Sequence, residues 1–219
     1  MTMRPYVVPQ GDYLTRLAHR MGFDADAVWS HDANRALCER RPNRELLHPG
    51  DVLHVPAPER RQGLALTPHQ ENRYRARIPR VGVSLTLRDA ANQPFANKPY
   101  RVLGMGPSAH EGTTDVDGAL SFSVPVSVRE VRLILDGGVR EYRLMIGHMD
   151  PVEELSGARK RLEHLGFLKQ GAVRDDGTYG NEDAALRGAL RMFQATQKIT
   201  VSGDLDQATR DALVRMHGS

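Results

Sequence analysis

The apolar residues of this chain change their period twice, and that change decides what the chain can fold into. Between Tyr6 and Pro56 they recur mostly at helical spacing between two short apolar runs. Between Val81 and Ile146 they alternate, and beyond Leu155 helical spacing returns. A period near 3.6 buries one stripe of a helix, and a period of two buries one face of a strand. One continuous helical or sheet architecture is therefore excluded. The pattern predicts an α+β multidomain protein with blocks at 1–56, 80–147 and 148–219, joined over 57–79 by a linker. The full chain of 219 residues has room for one to three small domains.

In the first block, Tyr6-Val7-Val8 and Val52-Leu53-His54-Val55 are strand candidates. Leu14, Leu17, Ala18 and Met21 make one helical face, which Gly22 ends. Asp24 caps a second helix, in which Ala27, Val28 and His31 face the first. The order is strand, helix, helix, strand. Tyr6-Val7-Val8, Gly11-Asp12-Tyr13-Leu14, Leu17-Ala18, Asn34 and the run from Leu47 to Pro56 resemble the LysM domain. Two departures stand out: Tyr13 replaces a usual Thr or Ser, and the stretch from Cys38 to Glu45 is longer than in a minimal member. The resemblance implies a βααβ fold that binds N-acetylglucosamine-containing glycan between two loops. The corresponding glycan-binding residues here are Gly11, Asp12, Tyr13, Leu46, Leu47 and Pro49. The same residues also suffice simply to build two turns.

The linker holds Pro58, Gly63, Pro68 and Pro79 and shows no sustained periodicity. Its local excess of Arg60, Arg61, Arg73, Arg75, Arg77 and Arg80 reads as a solvated segment or as a patch for an acidic partner.

In the second block, alternation at Val81–Leu87, Leu120–Val124 and Val131–Leu135 predicts about five short strands in a small antiparallel β-sandwich. The segments Asn92–Tyr100 and Gly112–Gly118 resemble transthyretin-like or carboxypeptidase-regulatory-like domains, which implies a spacer or docking surface. Gly112–Gly118 is read as a turn-rich connection rather than a calcium loop, because a twelve-residue loop ending in Glu is absent. No ligand site is expected in this block.

The third block offers three helical faces. The first holds Leu155, Ala158, Leu162 and Leu165; the second Ala185, Leu186, Ala189, Leu190 and Phe193; the third Ala208, Leu213 and Met216. Asn181 is a plausible cap for the second helix, with Glu182 and Asp183 in its first turn. Gly157, Arg161-Leu162, Leu165-Gly166, Leu190, Phe193-Gln194, Ile199, Gly203, Leu205-Asp206, Thr209 and Leu213 resemble the peptidoglycan-binding-domain-1 family. That resemblance implies a three-helix wall-binding module, with Tyr179 as a candidate wall contact.

Chemistry is sought and not found. Cys38 is the only cysteine, so no internal disulfide and no cysteine-based zinc site can form. It lies outside any Ser-His-Gly-Cys motif, and Ser156 is followed three residues later by Arg159, not Lys. The nine His are spread singly along the chain. No enzyme activity, cofactor or metal is expected. A net charge of +3 with 5% aromatic residues lacks the basic, aromatic-interleaved face of a nucleic-acid binder. No apolar run reaches signal-peptide or membrane-spanning length, so a cytoplasmic origin without membrane insertion is expected. The module order resembles proteins linked to the spikes of type VI secretion and to phage-tail-like injection systems. That implies peptidoglycan and a spike or baseplate protein as partners, with delivery to the periplasm or a target cell wall. The alternative is an adaptor whose LysM-like segment holds protein.

Overall fold

The structure is a computed structural model that describes residues 2–57, 66–74, 77–89, 93–168 and 183–217. In the first block, β1 (Met3–Val7) and β2 (Val52–Pro56) pair antiparallel, with Met3 opposite Pro56 and Val7 opposite Val52. Between them run α1 (Leu14–Met21), α2 (Ala25–Trp29), a 3-10 turn (Asp32–Asn34) and α3 (Arg35–Arg40). Gly22 ends α1 with φ of 77°, and the Asp24 side chain accepts the Ala27 N–H at 2.8 Å to start α2. Val28 faces the core, whereas Ala27 is exposed.

The third helix is a correction to the two expected. It exists because the chain beyond Trp29 delivers Leu37 to the core, and because Asn34 anchors its start. The buried Asn34 amide donates to Val28 O at 2.8 Å and His54 O at 2.9 Å, and its oxygen accepts the His54 N–H at 2.7 Å. One side chain thus ties the helices to β2 and leaves no buried polar group of its own unmet.

The middle block contains β3 (Arg80–Thr86), β4 (Pro99–Leu103), β5 (His110–Thr113), β6 (Ala119–Pro125), β7 (Glu130–Leu135) and β8 (Arg140–Met145). They form two antiparallel sheets, in orders β3-β6 and β5-β4-β7-β8. Val102, Leu120, Phe122, Val124, Val131 and Leu133 point between them into one core. Part of the expected Gly112–Gly118 connection is strand, since β5 runs to Thr113 and pairs with β4. The turn proper is closed by the Asp115 carboxylate, which accepts the N–H groups of Asp117 at 2.9 Å and Ala119 at 2.7 Å. Gly118 has φ of 78°, and a Cβ there would stand 2.4 Å from Leu87 O, so only glycine fits.

The last block packs α4 (Leu155–His164), α5 (Asp183–Thr196) and α6 (Gln207–His217) around Ala158, Leu162, Leu190, Phe193 and Leu213. Phe193 is fully buried and meets Phe167 edge-on, with ring centroids 5.3 Å apart. Three expected core positions face solvent instead. Leu155 is 59% exposed because Val152, one turn earlier, fills the place beside α4. Ala185 is exposed beside the buried Leu186, and Ala208 beside the buried Thr209.

The Phe-Gln…Gly-x-Leu-Asp-x-x-Thr pattern has a physical cause in this block. Gln194 is fully buried, and its oxygen accepts the Gly203 N–H at 2.8 Å. Its amide nitrogen lies 3.0 Å from Asp204 O and 2.9 Å from Thr209 Oγ1. Asp206 caps α6 by accepting the Thr209 N–H at 2.8 Å, and hydrogen bonds from Thr209 hold its carboxyl below the usual range. One polar hub therefore locks the α5–α6 turn. Among the described residues, no helix is long and apolar enough to cross a membrane.

Candidate functional site

The three blocks meet, and the residues that join them also shape the candidate site. Tyr13 caps α1 without a side-chain hydrogen bond to the helix. Its ring enters the core of the middle block instead, and it is only 2% exposed. This explains the departure from Thr or Ser: the cap position has become a wedge between domains. Arg16 lies over the Tyr13 ring, 4.5 Å from its centroid, and is itself buried. It donates to Val126 O at 2.9 Å, to Val128 O at 2.6 Å and to Gly11 O. On the other flank, buried Arg41 reaches Asp51 at 2.9 Å and Glu154 at 2.5 Å, linking the first block to the third. Burial alone would raise the Asp51 carboxyl. Hydrogen bonds from Arg41 and the His48 N–H outweigh it and hold that carboxyl below the ordinary range.

A cleft of about 480 Å³ opens where the blocks meet. That falls in the roughly 300–1,000 Å³ range of small-ligand sites. The first block contributes Tyr13, Asn43, Glu45 and Leu46. The middle block contributes Val81–Leu85 of β3 and Arg143–Ile146 at the end of β8. The junction supplies His148, α4 supplies Lys160 and His164, and α6 supplies His217. The expectation that the middle block has no ligand site is thus corrected: two of its strands wall the cleft. Each is an edge strand, because among the described residues β3 pairs only with β6 and β8 only with β7.

The six glycan-contact residues expected in the first block divide in two. Tyr13 and Leu46 line the cleft. Gly11, Asp12 and Leu47 are buried. Gly11 lies under His148, since a Cβ added there would stand 2.9 Å from His148 Nε2. Asp12 is paired with Arg20 at 2.8 Å, and Leu47 belongs to the core of its block. Pro49 is half-buried and away from the cleft. Tyr179 lies outside the described residues, as do Asn181, Glu182, Arg60, Arg61 and Arg75.

Sequence reading missed the histidines. Spread singly along the chain, three of them converge on the cleft. His164 Nδ1 and His217 Nε2 are 2.9 Å apart, and their rings stack with centroids 5.2 Å apart. Burial pushes His217 down to about 3, with repulsion from His164 and Arg161 adding to the shift. Arg161 is fully buried and lowered by that burial to about 10, so it stays charged near neutrality, donating to Asp150 O and Gly157 O. Among the described residues, no group of three His, Cys, Asp or Glu is placed to hold a metal ion. Cys38 is half-buried and its thiol donates to Trp29 O at 3.0 Å.

The α4 and α6 walls of the cleft lie in a stretch that is similar to a known family. Residues 152–213 match the family described as Putative peptidoglycan binding domain. The match spans α4, α5 and most of α6, including the Gln194 hub. No curated protein and no solved structure matches the chain.

Proposed function

We propose that this chain is a non-catalytic peptidoglycan-binding protein, accessory to a type VI secretion or phage-tail-like injection system. The observation that carries the reading is the family match over residues 152–213, together with the cleft that this module helps to wall. In this reading the first block contributes through Tyr13 and Leu46, and an injection machine carries the protein from the cytoplasm to the periplasm or a target wall. Support for that route comes from the LysM-like, sandwich-like and wall-binding-like order of the blocks. The arginines of the linker offer the carrier a basic docking strip.

The test is co-sedimentation of the purified full chain with protein-free peptidoglycan sacculi. Retention on the sacculi without release of soluble muropeptides is expected. Release above a buffer control would overturn the non-catalytic reading, and absence of retention would overturn wall binding. The burial of Gly11 under His148 and of Tyr13 in the core of the middle block favours a second reading. There the LysM-like segment serves as an adaptor that holds protein. A protein that ignores sacculi but co-purifies with a baseplate or spike component would support it.

A further inference from the structure

From the cleft at the three-block junction we infer that this protein takes the peptide part of the wall polymer: a short, extended stem peptide ending in a carboxylate. The inference rests on the peptidoglycan-binding reading and names which component of the polymer is held.

Two independent observations converge. The first is the pair of open strand edges. Val81–Leu85 of β3 and Arg143–Ile146 at the end of β8 line the same cleft, and among the described residues each strand has only one paired neighbour. An open edge presents backbone N–H and C=O groups, whose natural complement is another extended peptide. At roughly 3.3 Å per residue, Val81–Leu85 offers about 16 Å of strand, enough for a peptide of four or five residues. The inward side chains of this edge, Val81, Val83 and Leu85, are only half-covered, leaving apolar surface for small side chains such as alanine.

The second is charge. Lys160 lines the cleft and has no ion-pair partner among the described residues. The acidic lining residue Glu45 is ion-paired with Arg44 at 3.5 Å and accepts the Thr15 hydroxyl. Arg143 is engaged by Glu130 at 2.7 Å. The unmatched charge at the site is thus a single ammonium, and a terminal carboxylate satisfies it.

The test uses the full chain and three probes: a synthetic stem tetrapeptide with a free carboxylate, the same peptide as its C-terminal amide, and glycan chains stripped of their peptides. Binding is read by calorimetry and by displacement of the protein from sacculi. The free-acid peptide is expected to bind and to displace the protein, and the amide to bind roughly tenfold more weakly. Lys160→Gln is expected to erase the difference between acid and amide. Retention on sacculi with displacement by the bare glycan alone overturns this inference and leaves wall binding standing. No retention on sacculi overturns both. Peptide binding that ignores the Lys160 substitution, or an unrelated acidic peptide that binds equally well, also overturns it.

Discussion

Single residues show most clearly where pattern becomes physics. Gly157 is one of the positions that carry the resemblance to the wall-binding module, and the structure gives its reason. A Cβ there would stand 1.9 Å from Pro151 O and 2.6 Å from Asp150 O. The helix start therefore rests directly on the preceding backbone, which a side chain would push away. Gly157→Ala should cost about 1–3 kcal/mol through this overpacking, despite alanine's better helix propensity. A melting temperature equal to or above that of the parent protein would refute the packing. Phe193, with no exposure and its edge-on contact to Phe167, is the anchor of the same core. Phe193→Ala should cost about 3–5 kcal/mol, read from chemical denaturation of the full chain. An unchanged midpoint would mean that the core lies elsewhere. Both residues were legible in the sequence because their signals are local. Tyr13 was legible only as a departure: its destination, the core of another block, has no trace in the residues around it.

Elements were predicted where one face repeats and missed where tertiary contacts decide. Each of the three C-terminal helices was predicted from its spacing, and the first block's two strands from the apolar runs at its ends. The short α3 was not, since a six-residue segment gives too little periodicity and owes its place to Leu37 and Asn34. The short β5 was hidden because Gly112 and Thr113 look like turn residues, and only pairing with β4 makes them strand.

The contact between the ends of α4 and α6 gives these elements a pH dependence. His217 is held near 3 in the folded chain, against about 6.5 when unfolded. Below pH 6.5 the unfolded chain binds a proton that the folded chain refuses. Stability from this group is therefore lost as pH falls from about 6.5 toward 3, at a slope of at most about 1.4 kcal/mol per pH unit. His217→Phe should flatten that part of the profile, so that the variant gains on the parent as the medium is acidified. Melting curves that stay parallel between pH 7 and pH 4 would contradict the shift.

At the scale of the whole molecule, the candidate site is a property of assembly. Its walls come from residues near positions 13, 45, 83, 145, 160 and 217, and no local window contains two distant ones. That is why the sequence pointed to two separate terminal modules and a spacer, while the cleft and its three histidines stayed invisible. Arg16 is the keystone of one junction, with three backbone carbonyls accepting from its buried guanidinium. Arg16→Met keeps much of the apolar stem but leaves those carbonyls unmet. It should destabilise the full chain by at least about 1.5–3 kcal/mol and speed amide exchange around Val126–Val128. Exchange unchanged at those positions would show that the blocks are not held together there.

Binding of wall fragments in the cleft between the blocks can be read by hydrogen–deuterium exchange of the full chain, with and without soluble muropeptides. Slowed exchange is expected along Val81–Leu85 and Arg143–His148, the two open strand edges and the residues that follow β8, all of which line the cleft. Slowing confined to α5 and the outer face of α6, with both edges unaffected, would contradict it.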